Sequence, residues 1–116
     1  MLKATSAVSD MLVTVKSREV QRAMFAEMAG NREDARRHFL AAAHLELVLA
    51  HDYDMASEPE LALRSRISSA SCLWSGGEIE KGRQALEALR GQQPEQATEI
   101  ERILAELTRD YPENAA

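Results

Sequence analysis

Two stretches of the chain can be laid over each other around a glycine, and no other feature restricts the fold as tightly. Ala23, Gly30, Ala35, Phe39 and Ala42 occupy the same relative positions as Ala70, Gly77, Gly82, Leu86 and Leu89. In each stretch a small residue is followed seven positions on by a glycine, five further by another small residue, and four further by a bulky apolar one. Apolar residues at helical spacing flank both glycines, and glycine enters the left-handed backbone region that ends a helix at little cost. The pattern predicts a repeated helix–turn–helix. Two helix axes approach to about 8–10 Å where the facing side chains are small, so Ala23, Ala35, Ala70 and Gly82 mark the close contacts. Phe39 and Leu86 fill the space one turn beyond.

The rest of the chain reads as helix around this frame. From about Ser6 to Ala29 the period is helical but out of phase: Val8, Met11, Leu12 and Val15 form one stripe, Val20, Met24 and Met28 another. The polar run Lys16-Ser-Arg-Glu19 lies between them, which predicts a kink near Ser17 or two separate helices. A second helix is expected from about Arg32 to Ala50, with Asn31 as its N-cap and Glu33 and Asp34 in the positive first turn. It carries two apolar lines, Ala35–Phe39–Ala42 and Leu40–Ala43–Leu47–Ala50. Two lines require two packed neighbours, so this helix belongs inside the stack.

His51 to Ala56 is polar and reads as a connection. Ser57-Glu-Pro-Glu60 has the form of a capping box that opens a third helix, whose stripe is Leu63, Ile67, Ala70 and Trp74. The fourth runs from about Glu78 to Arg90, with Gly91 as its stop. Pro94 restarts the chain, and a fifth helix carries Ile100, Ile103, Leu104, Leu107 and Tyr111 on one narrow face. The other faces of that helix are charged, as suits the cap of a stack. The expected fold is all-α: about five helices as stacked antiparallel hairpins in a single domain, with repeats over about 16–51 and 58–94 and a capping helix over about 95–110.

Composition limits the classes of work. With 116 residues, 45% hydrophobic and 28% charged, and only 5 Gly and 3 Pro, the chain is a helix-prone globular one. The single Cys72 has no internal disulfide partner, and the chain shows neither a secretory leader nor about 20 apolar residues in a row, so a cytoplasmic location away from membranes is expected. Net charge is −5; residues 1–51 hold seven Lys/Arg against six Asp/Glu, and 52–116 hold seven against thirteen. An acidic chain without a long basic face lacks what phosphate backbones require, so nucleic acid is not an expected partner. Arg18, Arg22, Arg32, Arg36 and Arg37 gather around the first corner, where pairing with Glu33 and Asp34 on a solvated face is the ordinary role.

Catalytic and metal-binding patterns are missing from the sequence. His38, His44 and His51 with Asp52 and Asp54 are the only metal-like set, and His44 and His51 stand roughly 10.5 Å apart along a helix. Gly77-Glu-Ile-Glu-Lys-Gly82-Arg-Gln departs from a phosphate loop in its lysine, its hydroxyl and its helical context. Ser68, Ser69 and Ser71 have no paired histidine. No enzyme activity, cofactor or metal is expected.

The positions Ala70, Leu73, Gly77, Gly82, Leu86, Leu89 and Pro94, and Ala23, Ala26, Gly30, Ala35, Phe39 and Ala42, resemble the tetratricopeptide repeat. The first unit has Leu47 where that repeat closes on proline, and the corner glycines stand 47 residues apart rather than the usual 34 or so. The resemblance implies a right-handed superhelix with an inner groove lined by the first helix of each unit. The groove positions would be Val20, Met24, Glu27 and Met28, and Arg64, Ile67, Ser71, Trp74 and Ser75. An adaptor or chaperone-like module that holds a peptide or partner helix there is the leading expectation, with Trp74 either its anchor or a core residue. Carboxylate clamps in such grooves use several Lys and Asn, and only Arg64 fits. In size and acidity the chain also resembles small bacterial secretion chaperones. A self-associating scaffold, a homodimer among its forms, is the second reading, and an unrelated helical bundle is the alternative fold.

Overall fold

The computed structural model describes residues 7–113. Among these the chain is helical without strands: α1 (Ala7–Met28), α2 (Arg32–Met55), α3 (Pro59–Ser75), α4 (Ile79–Gln92), a single 3-10 turn (Pro94–Gln96) and α5 (Ala97–Asp110). Helix α2 lies between α1 and α3, as its two apolar lines require, α3 is flanked by α2 and α4, and α5 folds back onto α3 and α4. The result is a slab with Cα extents of 51 × 31 × 16 Å. The all-α class read from the sequence is the class observed.

Three corners join the first four helices, and all three are built alike. The amides of Gly30 and Asn31 donate to the carbonyls of Glu27 and Ala26, and those of Gly77 and Glu78 to Trp74 and Leu73. Gly30 and Gly77 hold φ of 78° and 94°. Ser57 makes the same corner with φ 59°, its amide and that of Glu58 donating to Asp54 and Tyr53. This pairing satisfies the last carbonyls of a helix through a left-handed residue. Ser57 therefore closes α2 rather than capping α3, and the N-cap of α3 is Glu58.

Three other boundaries differ from the sequence reading, each for a visible reason. Helix α1 runs unbroken through the polar stretch (Ser6, where it was expected to begin, lies outside the described residues). Lys16 reaches the buried Glu46 at 3.4 Å, and Glu19 meets His38 Nδ1 at 2.6 Å. The polar stretch is where α1 is tied to α2, so no kink is needed. Helix α2 extends to Met55 because Asp54 in its last turn pairs with Arg66 of α3. Helix α4 passes through Gly91 to Gln92 and stops before Pro94, where Gln93 takes the extended conformation that precedes a proline.

The larger buried cluster sits in the α3–α4–α5 half. Ala70, Trp74, Leu86, Leu89, Ile100 and Leu107 form one buried cluster, with Leu63, Ile67, Ile103 and Leu104 packed against it. Ala23, Ala26, Ala35 and Phe39 form a smaller one between α1 and α2. The small residues at the matched positions do what their size allows: a side-chain carbon on Gly82 would lie 2.7 Å from the Ala70 carbonyl oxygen and 2.9 Å from the Trp74 nitrogen. Between α2 and α3, the buried Ser69 hydroxyl donates to the Ala43 carbonyl at 2.8 Å. No helix among the described residues is long and apolar enough to cross a membrane.

Candidate functional site

The groove implied by the repeat resemblance would need α1 and α3 side by side. No Cα of α1 comes within 8 Å of α3, so the two sets of expected groove residues lie on helices kept apart by α2. The α3 set is largely covered by α5. Trp74 is 1% exposed and Ile67 packs into the same cluster, while the Ser71 hydroxyl is turned back onto the Ile67 carbonyl at 3.0 Å. Arg64 stands exposed on another line. On α1, Val20 is half-buried, but Met24, Glu27 and Met28 are open, Met28 to 82%.

Three of the expected residues, Glu27, Trp74 and Ser75, do meet. They meet at one end of the slab, where the Gly30 and Gly77 corners and the end of α5 come together around a cavity of about 410 Å³. Tyr111 organises it. This residue caps α5, its hydroxyl donates to Glu27 Oε2 at 2.7 Å, and its carbonyl accepts from Trp74 Nε1 at 2.8 Å. Its ring meets Phe39 edge-on at 6.2 Å. Burial and the neighbouring Glu27 carboxylate raise the pKa of the phenol well above its ordinary value, so Tyr111 stays protonated and donating. Arg83 of α4 lies over the Trp74 ring at 4.9 Å and pairs with Glu80 and Glu113.

Comparison of the chain with protein-family models, with curated proteins and with solved structures gives no match. The geometry therefore carries the functional argument alone.

Two arginines that sequence reasoning assigned to a solvated face line this cavity. Arg32 opens α2 and Arg36 follows one turn later. Arg22 pairs with Glu19, and Arg37 with Asp34; Arg32 and Arg36 form no ion pair among the described residues. Arg36 is half-buried, and its stem lies over Gly77, where an added side-chain carbon would be 3.3 Å from Cδ and Nε. The glycine thus makes room for the arginine as well as turning the chain. The signal was present in the sequence: equivalent corners put Gly30 and Gly77 at the same end, and Arg32 with them. Tyr111 was not locatable this way, because its position depends on how α5 folds back.

The histidines and Cys72 lie outside the cavity lining. His38 lies between Glu19 and Asp34, with Nε2 3.6 Å from the latter, and His44 and His51 are exposed. Among the described residues no group of three or more His, Cys, Asp or Glu gathers at a metal-sized point. Burial, then the nearby Glu46 carboxylate, pushes the Cys72 thiol up to about 11, so it is a poor nucleophile at neutral pH.

Proposed function

We propose that the protein is a non-enzymatic protein-interaction module of tetratricopeptide-like design that takes a peptide or partner helix along α1. One observation carries this reading: the two ends of the stack are finished differently. At one end α5 buries Ile100 and Leu107 and turns the ion-paired Glu99, Arg102 and Glu106 outward. Stacked helices need such a polar outer face to remain soluble. At the other end α2 is the one helix packed along α1 among the described residues, and Val8, Met11 and Phe25 are 58%, 61% and 67% exposed. Val8, Met11, Val15 and Phe25 share a line with Arg18 and Arg22 at alternating steps of three and four, the spacing by which one helix meets another. Met24 and Met28 add flexible apolar surface on the adjoining face. Several large apolar side chains exposed on one helix, with arginines among them, are what an interaction surface presents.

The test is a comparison of three forms of the protein as bait in the cells it comes from: wild type, Met11→Glu with Phe25→Glu, and a control changed at exposed Glu101 of α5. The reading expects a partner held by wild type and control and lost from the α1 variant, with all three melting alike. Identical sets from all three baits would end it. The self-associating scaffold uses the same observation, with a second copy covering α1. Light scattering separates the two, since a strict monomer across concentration removes the scaffold.

A further inference from the structure

We propose that the cavity between the Gly30 and Gly77 corners binds a small amphiphilic monocarboxylate, its carboxylate on Arg32 and Arg36 and its apolar body toward Ile79. The site is separate from the α1 surface and does not rest on the role given to it. Three features of the cavity point to this chemistry.

The first is two cations that have no counter-ion within ion-pair distance among the described residues. Arg32 and Arg36 stand one turn apart at the start of α2, so their side chains share a face. Each guanidinium presents a planar fork of donors that matches a carboxylate. The positive dipole end of a 24-residue helix adds to the attraction. The Gly77 corner beneath Arg36 leaves room for its stem, so part of the ordering cost is met before any ligand arrives.

The second is the charge around them. Glu27 and Asp110 also line the cavity, and each is engaged: Glu27 accepts from Tyr111, and Asp110 pairs with Arg109 at 2.9 Å. The charged lining residues, Arg32 and Arg36 against Glu27 and Asp110, balance; because Arg109, outside the lining, already matches Asp110, the two arginines face Glu27 with one positive charge over. A monoanion matches that surplus. A phosphate dianion would bring a second charge without a partner, close to Glu27.

The third is size and lining. About 410 Å³ falls within the range of small-molecule sites. Its accessible apolar part comes chiefly from the half-buried Ile79, with Ala35 and the edge of Trp74 buried behind it. A carboxylate with a compact hydrocarbon or aromatic body uses both halves. The same chemistry can arrive as a free organic acid or as the end of a polypeptide, and the cavity volume favours the former.

Trp74 is the only tryptophan of the chain and borders the cavity, so its emission reports on occupancy. Wild-type protein is titrated with 3-phenylpropanoate, its amide, inorganic phosphate and an N-acetylated tripeptide ending in leucine with a free carboxylate. Backbone amide shifts of Gly30 and Gly77 are followed in parallel by NMR. The expected result is saturable change with 3-phenylpropanoate and binding of its amide weaker by about tenfold or more, the loss of charge-assisted bonds. Arg32→Gln with Arg36→Gln should abolish the response while melting and circular dichroism stay as in wild type, because glutamine keeps most of the stem beside Gly77 and neither arginine holds an ion pair among the described residues. Tighter carboxylate-dependent binding of the tripeptide would identify a chain end as the natural source of the same group. Equal binding of acid and amide, preference for phosphate, an unchanged response in the double variant, or no saturable change by either readout would each overturn the proposal.

Discussion

Gly82→Ala tests the close contact on which the second hairpin depends, and Gly91→Ala supplies its control within the same helix. Alanine is the better helix former, by about 1 kcal/mol, and both positions lie inside α4. They differ only in what a methyl group would meet. At Gly91 nothing lies within 4 Å, so the substitution should stabilise by about 0.5–1 kcal/mol. At Gly82 the methyl carbon would fall 2.7 Å from the Ala70 carbonyl oxygen, 2.9 Å from the Trp74 nitrogen and 3.1 Å from the Trp74 Cβ. The two nearest are backbone atoms of α3, which cannot rotate aside. Overpacking of this kind costs about 1–3 kcal/mol, and here the upper part applies because α4 must move away from α3 as a whole. After alanine's helical advantage is subtracted, a net loss of about 1–2 kcal/mol remains. For a domain near 100 residues each kcal/mol moves Tm by about 4–8 °C, so the two variants should melt on opposite sides of wild type. Thermal and urea unfolding followed by circular dichroism measure this directly. If Gly82→Ala melts at or above wild type, α3 and α4 are not in contact at that point and the matched small residues have another cause.

Further expectations concern the polar ties of α1 and the two buried groups beside them. Lys16→Ala leaves Glu46, whose side chain is 5% exposed, without the ammonium 3.4 Å away; the Lys16 end reaches solvent, so the loss should be about 2 kcal/mol by urea unfolding rather than the larger cost of a fully buried pair. A Lys16→Ala protein as stable as wild type would show that Glu46 has other compensation. The Cys72 thiol, raised to about 11 from an ordinary 9.0, should alkylate at neutral pH about 100-fold more slowly than an unfolded thiol; labelling at the unfolded rate refutes this. Because the unfolded chain gives up that proton first, Cys72 contributes stability that is lost as pH rises from about 9 toward 11. The decline should be shallower in Cys72→Ala, as unfolding midpoints across that range would reveal.

What the sequence disclosed and what it concealed both follow from local physics. Gly30 and Gly77 were legible because glycine announces the left-handed corner, whereas Ser57 adopts the same backbone with φ 59° and announces a cap instead. The end of α2 was hidden because Asp52 and Asp54 weaken a helix when considered alone, and the Arg66 that holds the last turn stands on another helix. Gly91 looked like a stop, but the stop belongs to Pro94, which restricts the residue before it. In the candidate site, helix ends could be grouped by the matched corners, so Arg32 and Glu27 could have been placed together. The contribution of Tyr111 is a tertiary event, fixed by the packing of Ile100 and Leu107 under α3, and no spacing rule encodes it.

The same packing decides where binding is cheap. To offer Trp74 to a partner, as the repeat resemblance suggested, α5 would have to leave, exposing Ile100 and Leu107 and breaking the bond from Trp74 Nε1 to the Tyr111 carbonyl. Re-exposing a buried Ile or Leu costs about 1.5–3 kcal/mol, so these two alone charge a partner about 3–6 kcal/mol, or roughly two to four orders of magnitude in affinity. Along α1 no such displacement is required, since Met11, Met24, Phe25 and Met28 are already in solvent. A partner helix that covers them gains apolar burial from the first contact, and a ligand at the corner cavity meets Arg32 and Arg36 without moving α5. The core residues that make α3 unavailable are therefore the reason for seeking recognition at the uncapped end of the stack and at its corners.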